Sequence, residues 1–232
     1  MKRYVLGILT LFVFQFSAVA QSSPPNIIFI LTDDQRWDAL GYAGNEVIQT
    51  PEMDGLAREG VYFKNAFVTT PICAASRASI LTGLYERTHG YTFGQGEIKK
   101  EYAELSYPLQ MKQSAYYTGF FGKFGVSYSE FGEMFDEAEN YDRNGQFKDR
   151  RGYFYKTIGK DTVHLTRYTG QRAIDFINQA PEDRPFCLSL SFSAPHAHDP
   201  AVDQYFCGDE FHALYEDVVI EPPPSGRSTI FQ

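Results

Sequence analysis

Short unbroken apolar runs alternate along the chain with segments in which apolar residues recur every three to four positions. Asn26 to Leu31 (NIIFIL), following Pro24-Pro25, reads as a strand buried on both faces. It ends in the polar Thr32-Asp33-Asp34. From Thr50 to Glu59 the pattern is helical, with Thr50 as N-cap, Pro51 at the first helical position and Gly60 after the end. A strand is predicted near Val61 to Thr69, and a helix over Ala74 to Leu81 closed by Gly83. Tyr116 to Phe121 reads as a strand, Thr162 to Gln179 as a long amphipathic helix, and Phe186 to Phe192 as a second buried strand. Alternation of this kind predicts an α/β fold with a largely parallel or mixed sheet flanked by helices. In such sheets ligands gather at the carboxyl ends of the strands.

The first twenty residues follow a different rule. Lys2 and Arg3 precede an apolar run from Tyr4 to Phe16, and Ala18-Val19-Ala20 supplies small residues before Gln21. This predicts a signal peptide over 1–20, cleaved near Ala20-Gln21, and a catalytic domain over 21–232 that is periplasmic or secreted. A membrane span wants about 18 or more apolar residues, and Gln15 and Ser17 interrupt this run.

Composition then narrows the classes. With 232 residues there is room for one sizeable core, and 43% apolar against 22% charged residues excludes disorder and collagen-like structure. Lys+Arg 21 against Asp+Glu 29 gives −8 with no basic stripe, which excludes a nucleic-acid surface. Attraction to an anion therefore has to come from a local site. Three cysteines is an odd number for an exported chain. Once Cys73 is set aside, Cys187 and Cys207 remain as a possible disulfide, the alternative being that Cys187 is a small buried hydrophobe in its apolar run.

Three strand ends carry chemistry: Asp33-Asp34, Lys123, and Pro195-His196. Adjacent carboxylates at a strand mouth repel by about 4 kcal/mol at an effective dielectric near 20 unless a cation holds them, and a hard divalent ion is the natural partner. The alternative is that one caps a turn and the other is solvated. If a helix begins just after Cys73, that side chain sits at the positive end of the dipole, with Arg77 four residues on along the same face. The alternative there is a buried thiol near a surface arginine.

Cys73 to Gly83 (CAASRASILTG) resembles the signature C-x-[PA]-x-R, followed by two small residues, two apolar residues and T-G, of the formylglycine-dependent sulfatase family in the alkaline-phosphatase-like superfamily. PNIIFILTDDQRWDALGYAGN (25–45), TPEMDGLAREGVYFKNAF (50–67), TGLYERTHG (82–90), the GKF containing Lys123, and FSAPH (192–196) follow in the family's order. The resemblance implies an alkaline-phosphatase-like fold and hydrolysis of sulfate esters, aryl or carbohydrate. It implies that Cys73 is oxidised to formylglycine by a formylglycine-generating or anaerobic sulfatase-maturating enzyme. One hydroxyl of the hydrated aldehyde would attack sulfur, and the other would let sulfate leave. Asp33, Asp34 and residue 73 would bind Ca²⁺, Arg77 would orient the nucleophile, and Lys123 and His196 would hold the sulfate.

Departures from the family pattern are specific. Gly125 stands where the family commonly has a histidine (GKWH), and Ala115 replaces a glycine, a change expected to matter only for packing. His89 is expected to be structural support. Asp199, Asp203, Asp209 and Asp217 lack the Asp-Asn or Asp-His-Gly context of the family's downstream metal ligands. The chain is therefore expected to be the N-terminal portion of a longer sulfatase. The alternatives are a catalytically inactive, sugar-binding relative or a phosphoesterase of the same superfamily. His196-Ala197-His198-Asp199 superficially resembles a zinc-hydrolase motif, but its aspartate is one position early.

Overall fold

The computed structural model describes residues 24–141, 154–198 and 204–219. The expected signal peptide, Asp199 and Asp203 lie outside the described residues. The strands are β1 (Ile27–Leu31), β2 (Tyr117–Gly122), β3 (Glu137–Asn140), β4 (Tyr155–Ile158), β5 (Asp161–His164) and β6 (Phe186–Ser191). The helices are α1 (Pro51–Glu59), α2 (Cys73–Thr82), α3 (Glu86–His89), α4 (Lys100–Ala103), α5 (Tyr107–Gln113), α6 (Leu165–Gln179) and α7 (Asp209–His212). Four strands form one sheet in the order β1-β6-β2-β3, every pair parallel, while β4 and β5 make a separate antiparallel hairpin. Among the described residues, no helix is long and apolar enough to cross a membrane.

Strand alternation sorts the core into two layers. On β2, Phe120 faces a cluster with Ala74, Ala78 and Leu81 of α2 and with Phe124, Met134 and Phe135, whereas Phe121 faces Ala173 and Phe176 of α6. On β6, Phe186, Leu188 and Leu190 join the α6 layer, which leaves Cys187, Ser189 and Ser191 on the other face. Small residues there let polar groups of α2 and α5 approach the sheet: Ser189 Oγ lies 2.6 Å from Tyr107 Oη, and Ser191 Oγ meets Arg77.

Several expectations need correction. β1 is not buried on both faces: it borders a single described strand, and Ile28 and Ile30 are 48% and 53% exposed because α6 packs over β2 and β6 instead. Val61 to Thr69 forms no strand, and Val61, Phe63 and Phe67 are exposed, since no described strand lies beside this run to pair with it. Helix α6 begins at Leu165, because Thr162 and Val163 pair across the hairpin with Thr157 and Lys156. His164 then caps the helix, its Nδ1 accepting from Thr166 N–H at 3.2 Å. No disulfide forms: Cys73, Cys187 and Cys207 are all free, with Cys187 buried in β6 and Cys207 exposed.

His89 supports the structure as expected. It is buried, Nδ1 accepts from Tyr91 N–H at 3.0 Å, and Nε2 therefore carries the proton toward Ser79 Oγ, also 3.0 Å away, tying α3 to α2. Ala115 matters for more than packing. Its φ is +64°, the left-handed turn that closes α5, and a Cβ there costs about 1–2 kcal/mol relative to right-handed backbone.

Two outcomes follow. Ala115→Gly raises stability in urea unfolding by up to about 1 kcal/mol, because the residue is exposed and the relieved strain exceeds the extra freedom glycine gives the unfolded chain. Burial depresses the pKa of His89 below 6.5, so the unfolded chain binds the proton more readily and stability is lost as pH falls below 6.5. Urea unfolding between pH 7.5 and 5.5 shows this loss, and His89→Gln reduces its slope.

Candidate active site

The carboxyl ends of β1, β2 and β6 meet the first turns of α2. Asp33 follows β1 and is turned inward, 4% exposed, with its backbone N–H donating to Ala194 O at 3.3 Å. Asp34 adopts a φ of +57°, and its side chain is 61% exposed. The left-handed turn thus separates the adjacent carboxylates that the sequence sets side by side.

Asp33 Oδ2 accepts from Lys123 Nζ at 2.6 Å and lies 3.6 Å from Arg77 Nη2, so two buried cations converge on one buried oxygen. Arg77 comes from the second turn of α2. Its Nη1 donates to the carbonyl of Lys123 at 2.7 Å and to Ser191 Oγ. Burying these charges is tolerable because each is paired and hydrogen-bonded; removing one partner would leave a buried charge uncompensated.

The loop from Gly122 to Gly125 is shaped to hold Lys123. Gly122 has a φ of +118°, and a Cβ there would stand 1.9 Å from Ser191 O, because Lys123 N–H donates to that same carbonyl at 2.8 Å. Gly125, at a φ of +68°, lies against the Arg77 side chain, and a Cβ would approach its Cδ to 2.5 Å. The position where the family commonly has histidine is filled here by the stem of Arg77. Asn140, at the end of β3, fixes the loop from outside by accepting Phe124 N–H at 3.1 Å.

Cys73 is the first residue of α2, half-buried, with Ile72 in extended conformation as N-cap. Burial pushes its thiol pKa up, the charges of Lys123 and Arg77 pull it down, and Asp33 pushes it up. The net direction is upward. An unmodified Cys73 is therefore a protonated thiol at neutral pH, a poor nucleophile despite its place at the helix N-terminus. His196 sits apart from this cluster, beside Asp34. Its Nδ1 lies 2.5 Å from Ala197 O, and its Nε2 faces Asp34 Oδ2 at 3.5 Å.

The structure thus joins buried Asp33, Arg77 and Lys123, sets the half-buried Cys73 within reach of their charges, and places Asp34 beside His196. Asp33 and Asp34 offer hard oxygen donors of the kind a divalent cation takes. Among the described residues, however, no three His, Cys, Asp or Glu side chains come together as a metal cluster. These carboxylates fit a cation in chemical type and supply only part of the six to eight oxygens that Ca²⁺ takes. Sequence reasoning passed over Ser191 and Asn140. Two serines alternating with leucines in β6 were the available signal for Ser191, whereas nothing local marks Asn140.

Known proteins share this arrangement of chain. An arylsulfatase from Clostridium perfringens (strain 13 / Type A) is 30% identical, with 87% of this chain and 48% of that protein covered. An N-acetylglucosamine-6-O-sulfatase from Bacteroides thetaiotaomicron is 28% identical, covering 76% and 31%. The crystal structure of Ps i-CgsB in complex with k-i-k-neocarrahexaose matches with a TM-score of 0.69 at 25% identity, covering 85% of this chain and 49% of that one. The chain spans about half the length, or less, of these curated relatives. The sequence model of the Sulfatase family matches residues 25–217, and the chain belongs to that family.

Proposed function

We propose that this chain carries the nucleophile and sulfate-binding half of an exported sulfate-ester hydrolase acting on sulfated carbohydrate. The observation that supports it best is the placement of Cys73 at the N-terminus of α2, within electrostatic reach of buried Lys123, Arg77 and Asp33. In a chain of net charge −8, this is where an anionic group finds cations shielded from water. An N-acetylglucosamine-6-O-sulfatase among the relatives, and a structure solved with k-i-k-neocarrahexaose, support a sulfated sugar as substrate, while the arylsulfatase keeps an aryl ester as the second reading. The leader at 1–20 favours export, to the periplasm or beyond.

Residue 73 acts as formylglycine: one hydroxyl of its hydrated aldehyde would attack sulfur as the ester S–O bond breaks and the alcohol leaves with a proton, and the second would then lose its proton so that the aldehyde reforms and sulfate is eliminated. Arg77, whose charge acts on residue 73, orients the nucleophile. Lys123 and His196 hold sulfate oxygens, Lys123 from the floor of the site and His196 from its mouth. Asp33 keeps both buried cations in place. Asp33, Asp34 and residue 73 would hold a divalent cation, which when bound supplies a Lewis acid against the oxygens of the sulfate.

Mass spectrometry of the peptide spanning residue 73, from a host with a maturation enzyme, tests the reading. An aldehyde in place of the thiol is the expected result, and an unmodified cysteine would contradict the mechanism. On the modified protein, Lys123→Ala lowers sulfate release by about 10²-fold or more, measured with a sulfated glycan panel, because a preorganised charge at the developing anion is lost.

A further inference from the structure

We infer that Ser191 is a positioning residue that locks Arg77 to the Lys123 loop and so sets the sulfate-binding cations; the inference rests on the sulfate-ester reading above. Ser191 ends β6, between β1 and β2, and is buried. It grips Lys123 twice. Its carbonyl accepts Lys123 N–H at 2.8 Å, and its hydroxyl donates to the Lys123 carbonyl at 2.7 Å.

The direction of every bond is forced. Arg77 Nη1 can only donate, and the Lys123 carbonyl can only accept. The single hydroxyl proton of Ser191 is spent on that carbonyl, so its oxygen must accept from Arg77 Nη1, whose other N–H reaches the same carbonyl at 2.7 Å. The three groups close a triangle in which no donor lacks an acceptor.

That triangle holds the guanidinium more firmly than Asp33 does, because Arg77 Nη2 stands 3.6 Å from Asp33 Oδ2, beyond a good hydrogen bond. Without the hydroxyl, Nη1 loses one of its two acceptors, beside a cavity of about 30 Å³ that Arg77 and Ser191 help to line. The fork is then free to swing, and with it the relation between Arg77, Lys123 and residue 73. Gly125 has no side chain of its own with which to brace the Arg77 stem, which lies directly against it. The hydroxyl therefore carries a positioning task that no side chain at 125 can share.

Ser189 provides the internal control. It lies on the same face of the same strand, two residues earlier, and its hydroxyl meets Tyr107. The experiment compares Ser191→Ala, Ser191→Thr, Ser191→Cys and Ser189→Ala in the aldehyde-bearing full chain. Three quantities are read: kcat and KM on a sulfate ester, affinity for inorganic sulfate by calorimetry, and hydrogen exchange at the Arg77 guanidinium by NMR. In Ser191→Ala, Arg77 exchange accelerates and kcat/KM falls by about 10- to 100-fold, chiefly in kcat. Ser191→Thr, which keeps the hydroxyl, returns to within about threefold of the parent. Ser189→Ala leaves all three quantities at parent values. Should Ser191→Ala not fold, Ser191→Cys keeps the volume with a weak donor and shows the same direction of change. Slow Arg77 exchange and unchanged sulfate affinity in the Ala or Cys variant would overturn the inference. If the parent neither binds sulfate nor cleaves the ester while Arg77 exchange still depends on Ser191, the positioning role stands and the hydrolase reading falls.

Discussion

Asp33 brings a negative charge into a region nearly closed to water, and such a charge is costly unless cations meet it there. Lys123 and Arg77 do so, one from the end of β2 and one from the second turn of α2. The carboxylate therefore ties together the end of β1, the loop after β2 and the helix that begins at Cys73. Each of these elements is ordinary by itself. Their convergence on a single oxygen is what turns three strand ends into a site.

The surroundings are built to allow that convergence. β6 presents large residues to α6 and small ones to α2 and α5, so Arg77 can reach the sheet without displacing a core side chain. Gly122 lets the Lys123 backbone approach Ser191, and Gly125 lets the Arg77 stem lie across the loop. The histidine commonly found at position 125 in the family would have to occupy space that Arg77 fills here. Here the guanidinium is held by backbone and serine oxygens.

Much of this was legible in the sequence where a single local pattern decides the outcome. β6, buried on both faces, and α2, opening at Cys73 and closing at Gly83 in a left-handed C-cap, declare themselves. Other features depend on partners that local sequence does not show. β1 and β6 have similar apolar runs, yet the outward residues of β1 are exposed because no described helix covers them. Val61 to Thr69 has strand composition and no described strand beside it. β3 reads as a polar stretch, and it is half-buried because it pairs with β2, Ala138 packs on the core, and its carboxylates find partners, Glu137 with Arg172 at 2.7 Å and Glu139 with Tyr168 at 2.7 Å and with Lys156. Nothing local marked Asp34 as left-handed, whereas the glycine that Ala115 replaces was the available signal at that position.

The most direct test of the account concerns Asp33 as the hub. Asp33→Ala leaves Lys123 and Arg77 buried without the carboxylate they share, and breaking a buried pair in this way costs about 3–5 kcal/mol. Urea unfolding of that variant beside the parent measures it. A loss of this size is the predicted result, whereas stability within about 0.5 kcal/mol of the parent, the range of an ordinary surface substitution, would contradict it.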